Sequence, residues 1–330
     1  MFSTKRILVI VLAVVFVFGM TSSISATTLR LGSTQPSGHA ENEALEHFAE
    51  LVYEKTGGAV NVDIFPGGIL GSNPAMMDSV YEGALQMGRF PPGTLGEYFG
   101  PMNLFSFYFL FESLNDITEV LNNPMIEQLE QDFLEETGVR VLGYIGFLER
   151  NIITTDTRID NIDDLDGLTM RAWEWDPNIS WWQKLGASPT VIAYSEVYTG
   201  LQAGVIDGAE GELSVFDTDG WAEVSDYIAR TQHIFTIRPL VINEDAYSAL
   251  SEEEQEALQE AAAAAEEFQL ELSGRLNDEL IDTLIEKYGI EITHPDKEPF
   301  VERSYELMAE YAEEYDLVEY VEGLFGLEIE

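Results

Sequence analysis

The 330-residue chain contains no cysteine. It therefore has no disulfide, no thiol nucleophile, no thiolate for a metal and no site for a lipid attached through sulfur. Its four histidines, at positions 39, 47, 233 and 294, have no spacing that suits a zinc site, and neither GxSxG nor HExxH occurs. Cations are scarce: Lys and Arg number 16 against 60 Asp and Glu, for a formal net charge of -44. That balance argues against general affinity for nucleic acid or anionic membranes, which depends on basic patches. The Gly-rich stretch from Pro66 to Pro74 has no Lys after its glycines, so it is a tight turn and not a phosphate cradle. Internal repeats and low-complexity linkers are also missing.

What is present is core material. Hydrophobic residues make up 45% of the chain and aromatics 11%, which sets aside disorder as the meaning of the charge. A folded protein with an acidic skin remains; salt would screen its self-repulsion, and a halophilic source is the expectation. At the N-terminus Lys5 and Arg6 precede an unbroken apolar run from Ile7 to Met20, followed by small residues to Ala26. The run is shorter than the roughly 20 residues of a membrane span and ends in a cleavage-like Ile-Ser-Ala, so residues 1–26 read as a secretory signal peptide. No twin Arg precedes the run, which favours export in the unfolded state.

From Thr28 the pattern predicts a strand, a helix from Glu41 to Thr56 with an apolar stripe at Ala44, Leu45, Phe48 and Val52, and a second strand alternating at Val60, Val62 and Ile64. Strand, helix, strand is a βαβ signal in a parallel or mixed sheet. Further helices are predicted over Met76–Leu85 and, unbroken, from about Leu114 to Gly138. Val139 to Ile145 reads as a first crossing between domains, Trp221 to Ala229 as a short helix, Thr231 to Thr236 as a connector and Pro239 to Ile242 as a returning strand. Ser251 with Glu254 forms a capping box, and helical spacing continues to Tyr288, long enough to lie along two domains. The alanines from 261 to 265 read as solvated helix surface, Ile290 and Ile292 as a last edge strand, and Pro299 to Phe325 as an acidic helical tail. The aromatic run Met102 to Phe111 reads as core, with no separate role.

The stretch from Asn161 to Phe216 carries most information about function. Leu168 and Met170 alternate in a short strand from Gly167 to Ala172 with Arg171 near its end, followed by the loop Trp173, Glu174, Trp175, Asp176, Pro177. A planar guanidinium suits a bidentate carboxylate, although a lone Arg also serves in surface pairs. Ser180 to Leu185 reads as a helix and Pro189 to Ile192 as a strand. A helix capped by Ser195 follows, and Val205 to Asp207 reads as another strand, turned by Gly208 toward Glu210 and Glu212. Loops 172–177 and 208–212 then converge beyond strand ends, where open α/β sheets bind ligands. Chance pairs abound among so many acids, so Glu210 and Glu212 do not read as an acid and base.

The segments GLTMRAWEWD, LGASPTVIAYSEVYTGLQAGVIDGAE and RTQHIFTIRPLVINEDAYSALSEEEQEALQEAA resemble the solute-binding proteins of tripartite ATP-independent periplasmic (TRAP) transporters, the DctP-like family. HFAELVYEKTGGAVNVDIFPGGILGSNPAMMDSVYEGALQMG and PMNLFSFYFLFES resemble it too, in the expected order, over nearly the whole mature chain. The resemblance implies a two-lobed α/β periplasmic-binding-protein fold with interleaved domains, mixed sheets and a long helix bracing both lobes. Expected boundaries are 27–147 plus 237–270 for lobe I and 148–236 plus 271–330, with the helical tail, for lobe II. It implies a binding protein and not an enzyme, which captures a small carboxylate-bearing solute between its lobes and delivers it to the membrane subunits of a permease. Cleaved and without lipid, such a protein is retained only in a periplasm; an uncleaved N-terminal anchor is the competing expectation.

On this reading Arg171 holds the carboxylate. A second ligand Arg is implied where Arg150 and Asn151 adjoin, Trp173 and Phe216 pack the apolar part, and Gln35 and His39 line the cleft from the first loop. Relatives often read DGQEN where this chain has Asp207, Gly208, Ala209, Glu210, Gly211, so a ligand-binding Asn is replaced by Gly211. With Glu174, Asp176 and Glu212 nearby, an acidic, aromatic pocket would suit an ectoine-like zwitterion, or a carboxylate bridged by Ca²⁺ or Na⁺ with Glu174 and Glu212 as ligands; a hydroxy or sugar acid is equally open. No cofactor is expected otherwise, and a secreted hydrolase is the remote alternative.

Overall fold

The computed structural model describes residues 26–326 and 328–329; the signal peptide of the sequence reading lies outside them, save Ala26. Among the described residues nine strands form one mixed sheet in the order β2-β1-β3-β8-β4-β7-β5-β6, with β9 pairing β8. In chain order the elements that matter are β1 (Thr27–Gly32), α1 (Ala40–Lys55), β2 (Val60–Phe65), α2 (Asn73–Tyr81), β3 (Met87–Arg89), α3 (Pro124–Thr137), β4 (Val139–Thr154), β5 (Thr169–Ala172), α4 (Asp176–Lys184), β6 (Ser188–Val191), β7 (Gly208–Glu212), β8 (Tyr227–Asn243), α5 (Glu252–Tyr288), β9 (Glu291–Thr293), α6 (Glu298–Ala312) and α7 (Val318–Phe325).

Two strands organise the molecule. β4 and β8 run antiparallel for 16 and 17 residues, more than twice the length of any other strand. At one end β8 pairs β3, which leads to β1 and β2; at the other β4 pairs β7, which leads to β5 and β6. The two ends meet at an irregularity where the register shifts between Gly146 and Glu149. There Gly146 takes φ 123 and Phe147 φ 53; at a second shift, between Arg150 and Ile152, Gln232 of β8 takes φ 51. Only Gly adopts the first of these readily, and a Cβ on Gly146 would sit 2.6 Å from the Thr236 carbonyl oxygen.

The expected connector 231–236 and the helix expected over 221–229 are in fact a four-residue 3₁₀ turn, Trp221–Val224, followed by β8. Positions 229, 231, 233, 235 and 237 of β8 are all buried, but two of them are Thr231 and His233, so apolar alternation was masked. The helix expected over 114–138 breaks at Pro124, which cannot donate inside a helix and instead opens α3, with the Asn123 side chain accepting from the Met125 amide at 2.9 Å. The strand expected at 205–207 lies at Gly208–Glu212; its small residues are poor strand formers, admitted because the neighbours leave no room. A Cβ on Gly208 would meet the Ile153 carbonyl oxygen at 2.7 Å.

The capping box at Ser251 and Glu254 forms, and α5 runs 37 residues to a left-handed Gly289, about 55 Å at 1.5 Å per residue. The alanine run is not solvated surface: Ala261, Ala262 and Ala265 are buried in the core beside β1 and α1, where small side chains let the helix approach β4. Farther along, Leu284 enters a second core with Ile153, Phe216 and Trp221. The tail divides. On α6, Ser304 accepts from the Trp181 indole at 2.9 Å, whereas Tyr320 of α7, expected with lobe II, donates to Asp132 of α3 at 2.6 Å.

Candidate functional site

A cavity of about 380 Å³ opens between the two ends of the sheet. One wall comes from Pro91–Gly93 and the 3₁₀ helix Gly100–Ser106, contributing Asn103, Phe105 and Ser106; the opposite wall holds Arg171, Trp173, Trp175 and Tyr194; β4 and β8 supply the floor, with Arg150, Thr236 and Arg238. Among the described residues three arginines border it and no acidic side chain does, in a chain with 16 basic and 60 acidic residues. For a chain so acidic, this is a concentrated inversion of sign.

Arg171 ends β5 and is 6% exposed, yet it forms no ion pair among the described residues and its Nε has no hydrogen-bond partner. Burial pulls its pKa below the ordinary guanidinium value, against the field of Glu210. Its Cζ lies 5.5 Å from the centroid of Trp173, and the Cζ of Arg150 lies 5.7 Å from the same ring. Trp173 in turn stacks nearly parallel on Trp175, and its amide donates to the Asn178 side chain at 3.1 Å. The aromatic loop is thus held in place and flanked by two cations.

Arg150 is handled differently. Its Nε and Nη2 donate to the two oxygens of Glu210 at 2.6 and 2.7 Å. Burial pushes the Glu210 carboxyl up, but Arg150 and the His233 hydrogen bond pull harder the other way, to about 2. Burial keeps His233 below its usual pKa and neutral, so its Nε2–H donates to Glu210 at 3.3 Å while Nδ1 accepts from the Thr231 hydroxyl at 2.7 Å. Thr231, His233, Glu210 and Arg150 form a chain from the core to the cavity floor, which fixes the guanidinium and cancels its charge.

Between the adjoining candidates, Arg150 faces the cavity. Asn151 is fully buried on the other face, its amide donating to Glu149 at 3.1 Å and its carbonyl accepting from the Gln232 amide at 3.0 Å. Phe216 is also fully buried, packed with Trp221 behind Gly211, where a Cβ would meet both rings at 3.1 and 3.2 Å. Glu210 lies beneath the cavity wall as the partner of Arg150. His39 caps α1 through its Nδ1, and neither it nor Gln35 borders the cavity. Glu174 is exposed, Glu212 is half-buried with its carboxyl raised by burial, and the described residues contain no His, Asp and Glu cluster arranged to hold an ion. The walls are therefore cationic and aromatic, not acidic as the sequence suggested.

Arg238 was missed. It shares a strand face with Ile234 and Thr236 at a spacing of two, a signal hidden once β8 was read as three pieces. Tyr194 and the 91–106 wall were missed because Gly/Pro loops and aromatic runs look alike whether they fill a core or border a cavity.

With this geometry in place, comparison with known proteins gives a consistent picture. The family described as bacterial extracellular solute-binding protein, family 7 (DctP), matches residues 31–314. The 2,3-diketo-L-gulonate-binding periplasmic protein YiaO of Escherichia coli is 30% identical over 281 residues, 85% of each chain. Among solved structures, a TRAP periplasmic solute-binding protein of Roseobacter denitrificans with bound β-D-glucuronate is 28% identical with a TM-score of 0.76, covering 91% of this chain and 100% of that one. One from Sulfitobacter with bound β-D-galacturonate is 25% identical, also with a TM-score of 0.76 and the same coverage. An arginine-walled cavity between two lobes, on a chain matched nearly end to end, therefore belongs to a DctP-family solute-binding protein of TRAP transporters, a family of binding proteins and not of enzymes.

Proposed function

We propose that the protein captures a sugar acid in the cleft and passes it to a TRAP permease from the periplasm. The observation that carries this reading is the Arg171 guanidinium, buried to 6% exposure, without an anionic partner among the described residues, on the wall of a cavity in a molecule otherwise crowded with acids. Burying an unpaired cation is costly, so a carboxylate that completes it makes closure of the cleft favourable only when ligand is present. Trp173 offers an aromatic face to the sugar, while Asn103, Ser106 and Thr236 offer polar groups to its hydroxyls. The uronates bound by the Roseobacter and Sulfitobacter relatives fit this class. An ectoine-like zwitterion fits less well, because among the described residues no acid borders the cavity to meet its cationic end.

Titration calorimetry against glucuronate, galacturonate, succinate and ectoine tests the proposal. Micromolar or tighter binding of a sugar acid is expected, and a protein that bound ectoine while ignoring every carboxylate would overturn it.

A further inference from the structure

Resting on the sugar-acid reading, we propose that the cleft is built for a ligand carrying a carboxylate at each end, a hexaric acid in preference to a uronic or aldonic acid, and that Arg238 reads the second carboxylate. Of the three guanidiniums bordering the cavity, one is already neutralised, since Arg150 spends two donors on Glu210 at 2.6 and 2.7 Å. Arg171 and Arg238 form no ion pair among the described residues; Arg238 makes one side-chain hydrogen bond, to the carbonyl oxygen of Ile237 at 3.0 Å. The nearby acids are committed or weakened: Glu41 is held by Arg89 at 2.6 Å, and burial raises the Glu212 carboxyl despite the pull of Arg150 and Arg238. A single carboxylate satisfies one of the two free guanidiniums and leaves the other to be enclosed unpaired.

Their positions separate the two cations. Arg171 stands at the end of β5, whereas Arg238 lies on β8 opposite Ile145, beyond the Gly146 irregularity and on the β3 side of the sheet. The two therefore approach a ligand from different lobes, and a molecule anionic at both ends ties the lobes together.

The test compares galactarate with galactonate, acyclic acids that differ only at the terminal carbon, carboxylate against hydroxymethyl, and adds galacturonate. One charge-assisted contact predicts galactarate binding tighter than galactonate by about 30-fold. Arg238→Gln should erase that preference, weakening galactarate by about 30-fold while galactonate and galacturonate change less than about threefold; retained monoacid binding shows that the variant is folded. Wild type binding the monoacids as tightly as the diacid overturns the inference and leaves the sugar-acid reading standing. Equal losses on all three ligands, reproduced by Glu212→Gln, also overturn it, assigning Arg238 to a pair with Glu212. If none of the three binds, this inference fails, and if glucuronate does not bind either, the sugar-acid reading fails with it.

Discussion

Replacing Arg171 with Met should make the empty protein more stable and the ligand complex much weaker. In the wild type the Arg171 Nε is buried without a partner, and leaving such a donor unsatisfied costs about 1–3 kcal/mol. The contact with Trp173 at 5.5 Å returns about 1 kcal/mol. Met keeps the apolar stem, removes the orphaned donor and fills similar space, for a net gain of about 1 kcal/mol. At roughly 2–4 °C per kcal/mol for chains of 150–250 residues, the empty variant should melt about 2–3 °C higher. Truncating one partner of an enclosed charge pair costs about 2–5 kcal/mol, so affinity for a sugar acid should fall on the order of 150-fold, for about 3 kcal/mol. Differential scanning calorimetry, with and without saturating ligand, reads both effects in one preparation. Affinity within fivefold of wild type, or a melting point depressed by more than about 5 °C, would refute the reasoning.

Glu210→Gln removes the counter-charge of Arg150, so urea unfolding should show about 3–5 kcal/mol lost, as for other broken buried pairs; a loss under about 1 kcal/mol would mean that water already screens the pair. Glu130 on α3 and Glu266 on α5 both accept from Tyr144, through its hydroxyl at 2.6 Å and its amide at 3.1 Å, and burial raises each to about 7. Because their folded pKa values are raised, the folded state binds more protons between pH 4.5 and about 7, and stability should fall as pH rises through that window by up to about 3 kcal/mol for each carboxyl, less what solvent screens. The double variant Glu130→Gln, Glu266→Gln should flatten the fall, and an unchanged slope would reject this assignment. Gly146→Ala places a Cβ against the Thr236 carbonyl oxygen at a φ of 123 and should cost about 3 kcal/mol in chemical denaturation, beyond the ordinary glycine-to-alanine range. Raising NaCl from 0.1 to 2 M should lift the melting temperature by at least about 5 °C as screening relieves the acidic surface; a flat response would remove the argument for a saline source.

Elements that announce themselves locally were legible: β1, α1 and β2 through apolar spacing, and α5 through Ser251, Glu254 and Gly289. Those whose residues answer to the site were not. Thr231 and His233 occupy buried strand positions because they support Glu210, so β8 looked like a connector, and with it went Arg238. Gly208, Ala209 and Gly211 are small because their neighbours press close, a tertiary demand that reads locally as a turn. Arg171 and Trp173, which border the cavity, could be singled out because a guanidinium beside an aromatic loop carries its own chemistry. Phe216 was misplaced because an aromatic next to a site looks the same in front of it or behind it. The acidic loop residues misled for a related reason: in so acidic a chain, the informative event is their exclusion from the cavity, which only the three-dimensional arrangement displays.

The continuous helix α5 has a mechanical consequence. Seated through Ala261, Ala262 and Ala265 in one core and through Leu284 in another, with Ser273 donating to the Gly146 carbonyl oxygen at 2.9 Å, it spans the pivot like the leaf of a spring. Any swing of one half against the other must flex its backbone hydrogen bonds or slide its seats. On the proposed capture, strain from clasping a guest would sit in this helix and would favour reopening once the guest leaves.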